Sequence, residues 1–262
     1  MIKACILNLM PTKQATERHL TAALTRGGHS VDITWLKTAT HKSKNTGDDV
    51  LAKYKTLQDI KDSKFDIFII TGAPVEHLAF GEVDYWAELE YVLEYTRKNS
   101  LFNIYICWAA QAALSKFYGI EKSPLSEKCF GIFEQSFNAA SPFFSGFNGL
   151  FNMPHSRHTT LDIDTVRANP NLNLEAWFGE EVSIVSCKDG KNLFVTGHPE
   201  YEADTLHLEY TRDKAAGKEI AAPVNYYRDG IPVNTWQDGA TQFYNNIIKH
   251  VLNLKEKQNE NF

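Results

Sequence analysis

A cysteine stands at the junction between an apolar run and an Ala-rich run. Residues 102–107 are typical of a strand, and Cys107 leads without a loop residue into a predicted helix at 109–118. Such a junction is a nucleophile elbow, which places the thiol at a sheet edge beside a helix N-terminus. The N–H groups and dipole of that helix favour a thiolate and an oxyanion. The pattern predicts a nucleophile at Cys107, although a buried cysteine is more commonly inert.

A second apolar run, residues 193–196, ends at the sequence Gly197-His198-Pro199-Glu200. In reactions that use a cysteine nucleophile, an imidazole takes a proton from the attacking group, and a carboxylate fixes the tautomer of that imidazole. His198 and Glu200 are therefore predicted to be a general base and its partner. A His-x-Glu pattern alone is also typical of a solvated loop. The ends of parallel strands meet at one edge, however, which would bring this pair close to Cys107.

Further residues follow predicted strands or lie in polar segments. Gly72 ends the strand-like run 65–70 and either lets a backbone N–H approach a reacting carbonyl or belongs to an ordinary turn. Four cationic side chains are able to pair with a carboxylate or phosphate of a substrate: Lys13, Lys128, Arg157 and Arg212. Residue types and spacing do not choose among these four.

The elements that position these residues alternate along the chain. Short apolar runs predict buried strands at 4–9, 31–36, 65–70, 102–107, 182–186 and 193–196. Amphipathic segments predict helices at 16–26, 85–98, 109–118 and 241–254, the third ended by Gly119. Residues 121–181 and 218–240 are interpreted as long loops or insertions, and 254–262 as a frayed tail. The alternation predicts an α/β fold with a mostly parallel sheet and helices on both faces.

Composition limits the possible functions. A length of 262 residues with 43% hydrophobic residues is sufficient for a single α/β domain over residues 1–262. The net charge of −5, without a long Lys or Arg run, argues against nucleic acid as a partner. The cysteines form no C-x-x-C pair, which argues against a zinc site. There is no signal-peptide pattern and no apolar run of the roughly 20 residues that cross a bilayer. We therefore expect a soluble, cytoplasmic protein without a metal or a membrane partner.

Five motifs, in order along nearly the whole chain, closely resemble the homoserine O-acyltransferase (MetA) family. They are ILNLMPTK at 6–13, TGAP at 71–74, CWAAQA at 107–112, PHSR at 154–157 and GHPEY at 197–201. The resemblance implies a flavodoxin-like α/β fold similar to that of class I glutamine amidotransferases. It also implies a ping-pong mechanism through an acyl-cysteine, with an acyl-CoA and a small amino acid as substrates, no tightly bound cofactor, and a homodimer.

The matching motifs imply roles for particular residues. Cys107 is the expected acylated nucleophile, His198 the general base and Glu200 its partner, while Lys13 resembles the catalytic-site lysine of the family. The positions matching the amino-acid site are Lys128, Ser156 and Arg212, and we add the neighbouring Arg157 to the expected substrate-binding residues. Backbone N–H groups near Gly72 and Trp108 are expected to hold the oxyanion.

Position 76 bears on the acyl donor. Family members that use succinyl-CoA tend to carry glycine where this chain has Glu76, and acetyl-specific members carry glutamate. A glutamate fills space and repels the distal carboxylate of succinate, so acetyl-CoA is the expected donor.

The chain also departs from the family pattern. Typical members have an additional segment before the first strand, which they use in subunit packing. They also carry other residues at the positions of Glu134-Gln135 and Trp236-Gln237-Asp238-Gly239 in this chain. These differences favour serine over homoserine as the acceptor. The two acceptors differ by one methylene, which is worth only about 1–3 kcal/mol in discrimination. The product then feeds cysteine or methionine biosynthesis, respectively.

Other function classes remain open on the sequence. A glutamine amidotransferase or cysteine hydrolase shares the elbow and the His-x-Glu pattern, but usually carries G-x-C-x-G where this chain has Tyr105 and Ala109. A homoserine O-succinyltransferase would use the same residues with a different donor. A catalytically inactive binding module of the same fold is disfavoured by the complete set of Cys107, His198 and Glu200.

Overall fold

The computed structural model describes residues 1–41 and 47–260, in which strands and helices alternate. The helices are α1 (Lys13–Thr25), α2 (Asp48–Leu51), α3 (Trp86–Asn99), α4 (Trp108–Tyr118), α5 (Ile163–Ala168), α6 (Thr205–Ala215) and α7 (Gln237–Glu260). The longer strands are β1 (Ile2–Leu7), β2 (Val31–Leu36), β3 (Phe65–Ile70), β4 (Ser100–Ile106), β5 (Lys122–Phe137), β6 (Phe151–Leu161), β7 (Leu172–Phe178), β8 (Glu181–Cys187) and β9 (Asn192–Val195). Two short strands, β10 (Tyr227–Arg228) and β11 (Ile231–Pro232), pair with each other.

One large sheet carries the site, with the strand order β2-β1-β3-β4-β9-β8-β7-β5-β6 in the described part of the chain. The strands from β2 to β9 in this order are parallel, and those from β8 to β6 pair antiparallel. The carboxyl ends of β1, β3, β4 and β9 therefore meet at one edge, where ligands of α/β proteins bind. The expected α/β fold is confirmed.

Both faces of the parallel part of the sheet are buried. In β3, Phe68 and Ile70 pack with residues of α3, α4 and α5, whereas Ile67 and Ile69 pack with residues of α1 and α7. Successive side chains of a strand point to opposite faces, so a continuous apolar run such as β3 covers both layers. This packing fixes the strand ends that carry the site.

The prediction of long loops at 121–181 is wrong. This stretch contains β5, β6 and β7, and β5 pairs with β6 so that Phe130 lies opposite Ser156. Buried and exposed residues mix along β5. An antiparallel strand with one solvated face lacks the continuous apolar run by which a buried parallel strand is identified. The other expected irregular stretch, 218–240, is largely irregular up to residue 236, apart from β10, β11 and a bridge between Gly131 and Val224, but residues 237–240 belong to α7.

The C-terminal helix is longer than predicted. α7 runs from Gln237 to Glu260, so residues 255–260 of the expected frayed tail are helical, and 261–262 lie outside the described residues. Lys255 Nζ donates to Asp66 Oδ2 at 2.8 Å, which ties the last turns of α7 to β3. Among the described residues, no helix has the length and apolar character needed to span a membrane.

Candidate active site

Cys107 occupies the turn between β4 and α4 in a strained backbone conformation. Its φ is 53° and its ψ is −117°, a combination that residues other than glycine rarely adopt. Neighbouring backbone groups hold it there, since Cys107 N–H donates to Val195 O at 2.7 Å and Cys107 O accepts from Ala110 N at 3.0 Å. The junction has the geometry of a nucleophile elbow, and Cys107 lines a cavity at the carboxyl edge of the sheet.

Backbone segments of two elements border Cys107. Trp108 is the first residue of α4, where N–H groups have no partner within the helix and the helix dipole is positive. Gly72 follows β3, and a Cβ at this position would lie 3.1 Å from Cys107 Cβ and 3.8 Å from Cys107 Sγ. A side chain at this position would be in tighter than ordinary contact with Cys107 Cβ, so glycine favours this close approach of the two backbone segments. The arrangement is suited to an oxyanion hole.

His198 follows β9 and is fixed through both its backbone and its ring. Its backbone N–H donates to Pro154 O at 2.8 Å, and ring Nδ1–H donates to Glu200 Oε1 at 2.8 Å. Because Nδ1 is bound to the carboxylate, Nε2 is the nitrogen available to Cys107. The imidazole and Glu200 are both buried. The structure thus brings together the three residues that the sequence predicts as a catalytic set.

The thiol and the imidazole influence each other's protonation. Burial raises the pKa of Cys107, and the charge of the adjacent His198 partly opposes that rise. Burial lowers the pKa of His198, but the charges of Glu200 and Cys107 and their hydrogen bonds together outweigh this effect and hold the pKa well above its ordinary value. An imidazolium at His198 and a thiolate at Cys107 therefore stabilise each other. A cation next to the sulfur stabilises the thiolate that forms when the thiol loses its proton.

A second carboxylate, that of Glu76, borders the nucleophile. Glu76 Oε1 lies 3.9 Å from Cys107 Sγ, and Glu76 Oε2 accepts from His158 N at 3.0 Å. The residue is 9% exposed, and burial raises its pKa. The space next to the sulfur, which an acyl group on Cys107 would occupy, is thus limited by a glutamate side chain.

Charged residues of β5 and α6 form another wall of the cavity. Glu209 accepts hydrogen bonds through both oxygens, from Tyr201 Oη at 2.9 Å and from Ser156 Oγ at 2.6 Å. Lys128 Nζ lies 4.0 Å from Glu209 Oε2 and 3.7 Å from Asp213 Oδ2. Two of the predicted substrate-binding residues, Lys128 and Ser156, therefore meet at one end of the cavity.

Arg212 reaches the same end of the cavity from α6. Its guanidinium lies 3.0 Å from Asp213 Oδ1, and its side chain is 62% exposed. Lys218 Nζ lies 3.1 Å from the same oxygen. Burial raises the pKa of Asp213, but hydrogen bonds from Lys218 and Arg212 outweigh this effect and lower the pKa below its ordinary value. The cations around this aspartate are suited to binding the carboxylate of a small ligand.

Lys13 lies beneath the loop that follows β1 and is not among the described residues that line the cavity. Its ammonium donates to Asn8 O at 2.7 Å and to Met10 O at 3.2 Å. Burial lowers its pKa to about 8. Lys13 therefore shapes the loop that forms the cavity wall, instead of pointing toward a substrate as the sequence predicted.

Arg157 also differs from its predicted position. It is 1% exposed, and its guanidinium donates to Thr159 O at 2.7 Å and to Glu181 Oε2 at 2.7 Å. Successive residues of a strand face opposite sides, so Ser156 lines the cavity while Arg157 points into the protein. The expected contact between Arg157 and a substrate is replaced by a buried structural ion pair.

The cavity has a volume of about 410 Å³ and extends from Cys107 toward α1 on one side and α6 on the other. Several lining residues were not singled out in the sequence: His19, His77, His158, Tyr201, Glu209, Asp213 and Lys218. A signal for two of them was present, because Glu209 and Asp213 are four residues apart and share one face of a helix with their neighbour Arg212. The described residues contain no cluster of three or more His, Cys, Asp or Glu suited to a metal ion.

The residues that depart from the family pattern do not line this cavity, although Trp236 lies behind its wall, where Nε1 donates to Tyr201 O at 3.0 Å. Gln135 is buried, and its Nε2 donates to Phe133 O at 2.9 Å. Gln237 begins α7 and borders, with Asp238, a different surface depression. Within the described chain, none of these residues lines the wall next to Cys107.

Comparisons with known proteins agree with this geometry. A family model described as homoserine O-succinyltransferase matches residues 1–257. The chain is 43% identical over 258 residues to the homoserine O-acetyltransferase 1 of Ilyobacter polytropus, with 96% of this chain and 85% of that protein covered. It is 42% identical over 254 residues to the homoserine O-acetyltransferase of Clostridium acetobutylicum, with 94% and 84% covered.

Solved structures show the same fold at low sequence identity. A glutamine amidotransferase from Methylobacillus flagellatus has a TM-score of 0.63 at 10% identity, covering 97% of this chain and 95% of that one. A glutamine amidotransferase from Thermotoga maritima has a TM-score of 0.60 at 13% identity, covering 96% of both chains. The expected likeness to glutamine amidotransferases is confirmed for the fold.

Proposed function

Because this chain belongs to the homoserine O-succinyltransferase family, we propose that it transfers an acetyl group from acetyl-CoA to the hydroxyl of L-homoserine. The reaction proceeds in two halves through an acetyl-Cys107 thioester. Its product, an O-acetylated amino acid, serves methionine biosynthesis. The observation that carries the proposal is the strained Cys107 elbow beside the hydrogen-bonded pair of His198 and Glu200.

In the first half-reaction, the Cys107 thiol gives its proton to His198 Nε2, and the resulting thiolate attacks the thioester carbon of acetyl-CoA. The new carbon–sulfur bond leaves a tetrahedral oxyanion, which the N–H groups of Gly72 and Trp108 stabilise. The bond to the CoA sulfur then breaks, and the His198 imidazolium gives its proton to the departing thiolate. Acetyl-Cys107, free CoA and a neutral imidazole result, and Glu200 keeps the ring oriented throughout.

In the second half-reaction, His198 Nε2 removes the proton of the homoserine hydroxyl while the oxygen attacks the acetyl carbon. A carbon–oxygen bond forms, the bond to Cys107 sulfur breaks, and the sulfur is released as a thiolate beside the imidazolium. Lys128, Ser156 and Arg212 are the proposed binding residues for the amino acid, and their common position at one end of the cavity supports this assignment.

The position of Glu76 supports acetyl-CoA as the donor. A succinyl group on Cys107 would extend its distal carboxylate toward Glu76 Oε1, which lies 3.9 Å from the sulfur. Both the size of the side chain and like-charge repulsion disfavour that group. Acetyl is small and uncharged, so it avoids both effects.

Homoserine is the proposed acceptor, which replaces the preference for serine suggested by the sequence. That preference depended on departures at Gln135 and at Trp236, Gln237 and Asp238, none of which lines the cavity. Trp236 contacts the cavity wall only through the backbone carbonyl of Tyr201. The relatives from Ilyobacter polytropus and Clostridium acetobutylicum are named homoserine O-acetyltransferases. Serine has one methylene less and would leave the hydroxyl farther from Cys107 when its carboxylate is held at the same place.

The direct test follows CoA release with acetyl-CoA or succinyl-CoA as donor and homoserine, serine or no amino acid as acceptor. We expect the fastest release with acetyl-CoA and homoserine, and its loss in a Cys107→Ala variant. Faster release with serine would contradict the acceptor, and faster release with succinyl-CoA would contradict the donor. Ammonia release from glutamine would instead support the glutaminase chemistry of proteins that share the fold.

A further inference from the structure

Tyr201 contacts both functional parts of the cavity. Its ring stacks on the imidazole of His198, with centroids 4.2 Å apart and ring planes inclined by 14°. Its hydroxyl donates to Glu209 Oε1 at 2.9 Å. Trp236 Nε1 donates to Tyr201 O at 3.0 Å, which fixes the backbone of this buried tyrosine. A single rigid side chain thus spans the distance between the imidazole and α6.

Glu209 continues this chain of contacts to the amino-acid end of the cavity. Its Oε2 accepts from Ser156 Oγ at 2.6 Å and lies 4.0 Å from Lys128 Nζ. The carboxylate has fixed partners on both oxygens, so loss of the Tyr201 hydrogen bond would allow it to rotate. Rotation would displace Glu209 Oε2, which accepts the hydrogen bond from the Ser156 hydroxyl.

We propose that Tyr201 is a positioning residue that couples the orientation of His198 to the residues binding the amino-acid acceptor, and that its hydroxyl acts mainly in the second half-reaction. The inference rests on the proposed function, because it assumes that Ser156 and Lys128 bind the acceptor. The ring and the hydroxyl have separable roles: the ring packs against the imidazole, and the hydroxyl orients Glu209.

Protonation of the phenol supports this arrangement. Burial and the nearby charges of Glu209 and Glu200 hold the pKa of Tyr201 well above its ordinary value. The hydroxyl therefore stays protonated and remains a donor to Glu209 over the whole pH range in which an enzyme of this kind is assayed. A tyrosine with this protonation state is not a general base, so its contribution is orientation.

Two substitutions separate the two roles. Tyr201→Phe keeps the stacked ring and removes the hydroxyl, whereas Tyr201→Leu removes both. Tyr226→Phe is the matched control, because Tyr226 is also buried and hydrogen-bonded in the same hydrophobic cluster, but through Ala203 O and His207 N. Each variant is compared with wild type in three measurements. These are thermal unfolding, the burst of CoA release from acetyl-CoA without an amino acid, and the KM for homoserine.

For Tyr201→Phe we expect an acetylation burst within about twofold of wild type and a KM for homoserine raised about tenfold or more, the loss typical of a hydrogen bond to a charged group. Tyr201→Leu should slow the burst as well, because the imidazole loses its packing. Tyr226→Phe should leave both quantities near the wild-type values.

A double-mutant cycle with Glu209→Gln tests whether the tyrosine acts through the glutamate. If it does, adding Tyr201→Phe to Glu209→Gln changes the KM for homoserine by less than about twofold. The inference is overturned if the effects of the two substitutions on the KM for homoserine multiply in the double variant. It is also overturned if Tyr201→Phe slows the acetylation burst as much as it slows acetyl transfer to homoserine. If the wild-type enzyme transfers acetyl to homoserine but the variants give either of these results, only this inference is contradicted. A wild-type enzyme with no burst contradicts the proposed function itself.

Discussion

The Glu76 carboxylate and the Cys107 sulfur lie 3.9 Å apart, within one buried pocket at the carboxyl edge of the sheet. Two loops establish this distance: the turn after β3, which carries Glu76, and the elbow after β4. The His158 N–H donates to Glu76 Oε2 at 3.0 Å and prevents the carboxylate from swinging away. Under the proposed mechanism, an acyl group on Cys107 meets this glutamate, and we propose that the contact selects the acyl donor.

Replacing Glu76 should change the donor preference. Glu76→Gly removes both the volume and the charge beside the sulfur, so kcat/KM for succinyl-CoA should rise relative to acetyl-CoA by about tenfold or more, the scale of discrimination from small changes in a pocket. Glu76→Gln is the control that keeps the volume and removes the charge. If Glu76→Gly leaves the ratio of kcat/KM values for the two donors unchanged, the assigned role of this residue is incorrect.

Gly72→Ala should impair catalysis more than stability. The new Cβ would lie 3.1 Å from Cys107 Cβ, so the loop or the elbow must shift by a few tenths of an ångström, which would displace the proposed oxyanion donor. Loss of one oxyanion donor typically lowers kcat about 100-fold or more. Gly81→Ala is the matched control, since a Cβ there meets no atom within 4 Å. Equal activity of the two variants would exclude Gly72 from the oxyanion site.

The pH dependence of the second half-reaction should report the pair of His198 and Glu200. Burial lowers the pKa of His198, whereas the charges of Glu200 and Cys107 raise it. In acetyl-Cys107 the charge of Cys107 is absent, so Glu200 is the carboxylate that still raises this pKa, and the neutral base forms as the pH rises through it. Glu200→Gln removes the charge, and the acidic limb of the rate of acetyl transfer from acetyl-Cys107 should move to lower pH. An acidic limb that keeps its midpoint, or moves to higher pH, would show that Glu200 does not set this pKa.

Arg157 and Arg212 should respond differently to substitution. Arg157→Ala leaves Glu181 without its buried partner, so the free energy of unfolding should fall by about 2 kcal/mol or more in urea denaturation. Arg212→Ala removes an exposed side chain, so stability should change little while the KM for the amino acid rises. A stable Arg157→Ala enzyme with only a raised KM would return Arg157 to the substrate site.

Several site residues are predictable from sequence because they follow short apolar strands. Cys107, Gly72 and His198 each lie within three residues of the end of a strand of the parallel sheet, and parallel strands end at a common edge. Local pattern and topology together therefore bring these residues to one place. Glu76 and Glu200 follow within the same turns, so they were located by the same argument.

The remaining residues depend on packing between distant elements. Tyr201 and Glu209 meet because α6 packs beside the turn after β9, and Ser156 reaches Glu209 across the cavity from β6. The strand register that buries Arg157 and exposes Ser156 is set by antiparallel pairing with β5, which the sequence did not reveal. Lys13 had the expected position in the chain, but its direction depends on two loop carbonyls. Such contacts carry no local sequence signal.

The most direct measurement is mass spectrometry of the intact protein and its peptides after brief exposure to acetyl-CoA, before and after homoserine is added. The account predicts one acetyl group on the peptide that contains Cys107, its disappearance on addition of homoserine, and no adduct in Cys107→Ala. Cys129, a second free cysteine that is less buried, provides an internal control for non-specific acetylation. No adduct, an adduct on another cysteine, or one that persists with homoserine would contradict the acyl-cysteine mechanism.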